Sequence, residues 1–167
     1  MEAIVNVTEN WGIGAENRLL VTISEDLRRF RRLTEGKTVV LGRKTLETFP
    51  QGKPLKNRKN LILSRNPDYH MEGAEVFHDL PSLLSHLKEL PRDEICIIGG
   101  ESVYRALLPY CERVRLTKTF VQADADRFFP DLEALPNWEK AEISELLDEN
   151  GIKFQYVDYV NLSPIPF

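Results

Sequence analysis

The segment Ile95-Cys96-Ile97-Ile98 runs without a polar residue into Gly99-Gly100, and a helical pattern starts directly behind it. An apolar run that does not alternate with polar residues reads as a strand covered on both faces, as in parallel sheets. Two glycines at its carboxyl end open backbone angles closed to other residues and let a ligand lie against bare main chain. A helix beginning there aims unpaired amides at the same spot. In open α/β sheets, ligands bind at the carboxyl ends of the strands. A plain strand-to-helix turn would leave the same trace, so the rest of the chain must discriminate.

The 167 residues suit one domain, 1–167, large enough to bury roughly two-thirds of its unfolded surface. A formal net charge of −4 argues against general nucleic-acid binding. Cys96 lies within an apolar strand and Cys111 near a helix end, which is neither a disulfide framework nor metal-ligand spacing. Free buried thiols in a reducing cytoplasm are the simplest account. The amino terminus enters a strand almost at once, without a basic leader, and no apolar run reaches the length of a membrane span. The expectation is a cytoplasmic, monomeric protein that binds neither nucleic acid nor membrane.

The patterning predicts strands over 3–8, 37–41, 60–63, 74–77, 95–98 and 114–121. Residues 9–17 read as turn-rich. A helix is expected over 25–35, capped by Ser24, with Leu27, Phe30 and Leu33 facing inward. Further helices follow Gly42 and cover 80–90 and 102–108. Residues 141–147 and 153–161 flank Asn150-Gly151 and read as an antiparallel hairpin. The fold class is therefore α/β: a single domain with a mainly parallel central sheet, helices on both faces and a C-terminal antiparallel hairpin.

A Gly-x-Gly-x-x-Gly fingerprint, a Walker A sequence, a Gly-x-Ser-x-Gly elbow and a His-Glu-x-x-His helix are all absent from the sequence. His70, His78 and His86 are scattered and read as surface residues. Three strand ends nevertheless suit an anionic ligand. Gly42-Arg43-Lys44-Thr45 joins a glycine, two cations and a hydroxyl at a helix start. Ser64-Arg65 adds a hydroxyl and a planar guanidinium, and Gly99-Gly100 adds backbone amides. Each alone fits a solvated loop; three along one sheet edge favour a dinucleotide phosphate. Asp26, in a first helical turn, is either a surface acid favoured by the helix dipole or a carboxylate at an apolar cleft, able to pair with an amidine-like heterocycle. Arg58 is either a surface cation or a clamp for a substrate carboxylate.

These residues, in this order, resemble bacterial dihydrofolate reductase over nearly the whole chain. The matching pieces are Trp11-Gly12-Ile13-Gly14, Asp26-Leu27 with Phe30, Gly42-Arg43-Lys44-Thr45, Pro54-Leu55 with Arg58, Leu61-Ile62-Leu63-Ser64-Arg65, Ile97-Ile98-Gly99-Gly100 with Val103-Tyr104, Leu116-Thr117 and Phe129-Pro130-Asp131. The resemblance implies a one-carbon-metabolism oxidoreductase that reduces dihydrofolate to tetrahydrofolate with NADPH. Asp26 would promote protonation at N5, with Thr117 in the same network. Asn6, Leu27, Phe30, Phe49, Leu55 and Ile98 would line the folate site, and Arg58 would pair with the glutamate tail. Arg43, Ser64 and Arg65 would recognise the 2′-phosphate. Ile13, Leu19, Gly42, Lys44, Thr45, Gly99, Gly100, Ser102, Val103 and Tyr104 would complete the cofactor set, with the Gly99-Gly100 bond cis.

The chain departs from the family pattern in three places. Leu19-Leu20-Val21 stands where the family reads Leu-Pro-Trp, Asn6 replaces a small alanine facing the nicotinamide, and Glu101 follows the glycine pair. Asn6 is expected to crowd the cofactor or to bond to it, and the set as a whole suggests weak binding of pyrimidine antifolates. Two rival readings are the related pyrimidine reductase of riboflavin synthesis, which has no use for an Asp26–Arg58 pair, and a folate- or nucleotide-binding module without catalysis. Retention of Asp26 and Thr117 argues against the second.

Overall fold

The computed structural model describes residues 1–16 and 18–167; the side chains of Arg18 and Leu19 also lie outside the described residues. In chain order the strands and helices are β1 (Glu2–Val7), β2 (Gly12–Ala15), β3 (Arg18–Leu19), α1 (Ser24–Thr34), β4 (Thr38–Gly42), α2 (Arg43–Glu47), β5 (Lys59–Leu63), β6 (Ala74–Phe77), α3 (Leu80–Leu87), β7 (Ile95–Gly99), α4 (Glu101–Leu107), β8 (Arg113–Thr119), β9 (Arg127–Phe128), β10 (Trp138–Ile143), β11 (Leu147–Glu149) and β12 (Ile152–Asn161).

The main sheet has the order β10-β12-β8-β1-β7-β4-β5-β6, with β11 also on β12. Strands β8 through β6 run parallel, and β12 and β10 add antiparallel edges. The chain leaves β1 through α1 for β4 and later returns to place β7 between them. That gap between β1 and β4 is the topological switch point, where the crevice of an open α/β sheet opens.

The apolar runs follow from this layering. Val5, Val40, Leu61 and Ile97 pack on one face with Leu83 and Leu87 of α3 and Val103 and Leu107 of α4. Their sequence neighbours Ile4, Val39, Leu41, Ile62, Cys96 and Ile98 pack on the other face, with Phe30 and Leu33 of α1 and Leu46 of α2. Successive strand residues point to opposite faces, so a sheet covered on both sides requires unbroken apolar strands. Fully burying one such side chain stabilises the fold by about 1.5–3 kcal/mol.

Several expectations need correction. Residues 9–17 are not only turns: β2 pairs with β3 and with β9 in a small sheet. The distant partner Arg127-Phe128 supplies that pairing, which no local pattern reveals. Ser24 does not cap α1. Ile23 occupies the cap position without a side-chain bond, and Glu149 accepts from the amides of Ser24 (2.7 Å) and Glu25 (3.0 Å) instead. Leu27 is not a core residue, being 52% exposed. The hairpin arm begins earlier, at Trp138, and is divided into β10 and β11 along one long β12, with a register shift between Lys140 and Glu142.

Candidate active site

The carboxyl ends of the parallel strands open onto a cleft of about 1340 Å³. Pockets for one drug-sized ligand run to about 1,000 Å³. The cleft therefore has room for more than one such ligand. Its two halves differ in chemistry, and the end of β7 lies between them.

One half is built around Asp26. The first turn of α1 crosses the ends of β1 and β8, so the carboxylate meets side chains from both strands. Thr117 Oγ1 donates to Oδ1 at 2.5 Å, and Asn6 Nδ2 donates to Oδ2 at 3.0 Å. Burial raises the pKa of Asp26 above its ordinary value, while the bonds from Thr117 and Asn6 and the charge of Arg29 pull it back. The apolar wall comes from Leu27, Phe30, Phe49, Leu55 and Ile98. Leu27, half-exposed on the first turn of α1, offers an apolar surface to a planar ring in the cleft. Arg58 also lines the cleft. Its guanidinium donates to Thr34 Oγ1 (3.0 Å) and to the Lys56 carbonyl (2.8 Å), which fixes the fork towards the cleft.

The other half is cationic. Gly42, Arg43, Lys44 and Thr45 line it at the start of α2, and Ser64 and Arg65 line it at the end of β5. Arg43 also pairs with Glu47 at 3.0 Å, whereas Lys44 and Arg65 are exposed. His78 lies in this half and makes a 2.9 Å ring-nitrogen bond with the Ser64 carbonyl. It is exposed, as expected of a surface residue, and the β5–β6 pairing also brings it to the rim of the cleft.

Gly99 and Gly100 separate the halves. Their peptide bond is cis, as the resemblance implied. Against β4, Val40 pairs with Ile97 and Leu41 with Gly99, so Ile98 is the extra residue of a bulge that re-aims the strand end. Gly99 has φ 125°, which favours glycine. A Cβ on Gly100 would stand 3.1 Å from Thr45 Oγ1, and one on Gly42 3.3 Å from Val103 Cγ2. A side chain at either position would be tighter than ordinary contact, so Thr45 or Val103 would have to give by a few tenths of an ångström.

Ile13, Ser102, Val103 and Tyr104 also line the cleft. Tyr104 contributes its ring rather than its hydroxyl, which donates to the Ile4 carbonyl at 2.6 Å. The side chain of Leu19 lies outside the described residues. Asn6 lines the cleft as well, and its amide turns to Asp26 and Thr119, so it belongs to the carboxylate's network. Thr119 itself was missed, because its role appears only when β1 and β8 are placed in register. Glu101 lines the cleft beside the glycine pair. Its carboxylate accepts from the Phe128 amide at 2.7 Å and so ties the small sheet to α4.

The family model for dihydrofolate reductase matches residues 1–161. The chain is 38% identical over 141 residues to dihydrofolate reductase type 3 of Salmonella typhimurium, covering 84% of each. It is 34% identical over 158 residues to the dihydrofolate reductase of Neisseria gonorrhoeae, covering 94% of this chain and 95% of that one. Among solved structures it resembles a dihydrofolate reductase from Enterococcus faecalis complexed with NADP(H) and RAB-propyl, with a TM-score of 0.83, 31% identity, and coverage of 96% of this chain and 95% of that one. With the cleft, its two chemical halves and its glycine divide in place, these matches show that the chain belongs to the dihydrofolate reductase family.

Proposed function

We propose that Asp26, with Thr117, assists protonation at N5 as this dihydrofolate reductase converts 7,8-dihydrofolate to 5,6,7,8-tetrahydrofolate with NADPH. The observation that carries this assignment is the hydrogen-bonded Asp26 carboxylate against an apolar wall. A carboxylate there suits the paired N–H donors of a pterin, and its raised pKa brings it closer to the range useful for acid–base work. Leu27, Phe30, Phe49, Leu55 and Ile98 exclude water around the ring, and Arg58 takes the carboxylate of the glutamate tail.

The cationic half fits NADPH. Arg43, Ser64 and Arg65 hold the 2′-phosphate. Lys44, Thr45, Gly42, Gly99, Gly100, Ser102, Ile13, Val103 and Tyr104 hold the pyrophosphate and nicotinamide end. Bound NADPH supplies the hydride; the protein supplies position and electrostatics.

The whole chain, 1–167, acts as one reductase domain, as a monomer in the cytoplasm that binds neither nucleic acid nor membrane. The negative net charge supports the absence of nucleic-acid binding. Among the described residues, no helix is long and apolar enough to cross a membrane. Leu20 and Val21 line the cleft where the family carries Pro-Trp, which supports weak binding of pyrimidine antifolates.

The test follows absorbance of NADPH with dihydrofolate, and then with NADH in its place. Turnover with a clear preference for NADPH is expected. Tight binding of both ligands without turnover would leave only a binding module, and turnover of a ribosylamino-pyrimidine instead would favour the riboflavin-pathway reading.

A further inference from the structure

Asn6 Oδ1 accepts a 2.7 Å hydrogen bond from Thr119 Oγ1, while Asn6 Nδ2 faces Asp26 Oδ2 at 3.0 Å. The arrangement follows from register. Asn6 on β1 is the Cα partner of Thr117 on β8, and Thr119, two residues on, points to the same face. The two threonines are 2% and 0% exposed, so their hydroxyls must find partners within the protein. Thr117 takes one carboxylate oxygen, and Thr119 reaches the other through Asn6.

The chemistry of the amide gives the arrangement a direction. With Thr119 donating to its oxygen, the amide of Asn6 presents only N–H towards Asp26. An ionised carboxylate accepts from that group; a protonated Oδ2 would set O–H against N–H. The reverse amide orientation would turn a carbonyl oxygen towards the carboxylate.

We propose that Thr119 and Asn6 are positioning residues that act on catalysis through Asp26, the hydroxyl fixing the amide and the amide fixing the orientation and charge of the carboxylate. The proposal rests on the role given to Asp26 above. It assigns Asn6 to the proton chemistry and not to the nicotinamide. Other groups around Asp26 are Glu25 and Arg29 on α1, Tyr104 on α4 and Tyr156 on β12. Burial opposes the charged carboxylate, and the donors from Thr117 and Asn6 counter it. Loss of one donor therefore moves the titration of Asp26 upward. Each carboxylate oxygen also keeps only part of its accepting capacity for a ligand, so the relay bears on the binding of amidine-like heterocycles.

The experiment titrates the Asp26 carboxyl carbon by NMR in protein labelled at aspartate and free of ligand, alongside the pH profile of turnover. Asn6→Ala and Thr119→Val are each expected to raise the NMR midpoint and to shift the kinetic profile in the same direction. Thr119→Ser, which keeps the hydroxyl, is expected to restore the wild-type midpoint. An unchanged or lowered midpoint in Asn6→Ala overturns the proposal. So does a changed KM for NADPH with an unmoved profile, which would return Asn6 to the cofactor. Thr119→Val keeps the test open should Asn6→Ala fold poorly. Failure of the wild-type protein to oxidise NADPH with dihydrofolate would instead sink the role of Asp26, and the NMR titration would still report on the relay.

Discussion

Glu149 accepts a 2.7 Å hydrogen bond from the main-chain amide of Ser24, so the turn of the C-terminal hairpin caps the helix that carries Asp26. The same carboxylate takes the Glu25 amide at 3.0 Å. It thus meets two of the four amides that a helix start leaves without partners, and it places negative charge at the positive end of the dipole.

Loss of this cap loosens the first turn, where Asp26 sits. Glu149→Ala is expected to cost about 1 kcal/mol of stability, comparable to loss of an N-cap side chain. Glu149→Gln, which keeps one accepting oxygen, should cost less. Urea denaturation orders the three proteins. Turnover should fall with stability in that order, and equal stability of Glu149→Ala and wild type would show that the cap is idle.

Much of this arrangement was legible in the sequence because it is local. The apolar runs, the glycines at strand ends and the Asn150-Gly151 turn each report on neighbouring residues. They place the three phosphate-side segments and Asp26 on one rim, and the cleft brings these together. What was not legible depends on pairing across the chain. Glu149 and Ser24 are far apart in sequence, as are Asn6 and Thr119, or Glu101 and Phe128. Polar residues of that kind carry no periodic signal, since any one of them also reads as a surface residue. Leu27 shows the limit of helical spacing: the periodicity places it on the inner face of α1 with Phe30 and Leu33, and the resemblance, not the periodicity, assigns it to the cleft wall where it lies.

Asp26 ties function to pH-dependent stability. Its ordinary pKa is 3.8, and burial raises it in the folded chain against the pull of Thr117 and Asn6. Over the window that opens near 3.8, the folded protein binds more protons than the unfolded one. The stability contributed by the neutral acid is therefore fully present below that window and is lost as pH rises through the raised value. Asp26→Asn does not titrate. The difference in unfolding free energy, variant minus wild type, should grow more positive as pH rises through that window. Turnover of the variant at neutral pH should drop at least about a hundredfold, with NADPH affinity nearly intact. A flat stability difference across that range would deny the raised pKa, and unchanged turnover would remove Asp26 from the mechanism.

Arg58 offers a charge-assisted fork whose geometry is fixed by Thr34 and Lys56. Arg58→Lys keeps the charge but loses the planar pair of donors. The expected result is a rise of about ten- to a hundredfold in KM for dihydrofolate, the worth of a charge-assisted hydrogen bond. KM for NADPH should not move. Dihydropteroate, which lacks the glutamate tail, should be turned over equally by variant and wild type. A variant that handles dihydrofolate as well as wild type would leave Arg58 a surface cation.

Leu20 and Val21 are aliphatic side chains on the cleft wall, where an indole would bring both a large flat surface and an N–H donor. On the proposed reading of the cleft, an indole at position 21 would restore a donor and a flat surface to a bound pyrimidine antifolate such as trimethoprim. Val21→Trp is expected to tighten inhibition by about tenfold, the worth of one hydrogen bond together with added ring contact. Steady-state inhibition at fixed NADPH and dihydrofolate measures the change, and KM values for both substrates report whether the indole has merely narrowed the cleft. Wild-type inhibition that equals the Val21→Trp variant would mean that the aliphatic pair does not set antifolate affinity.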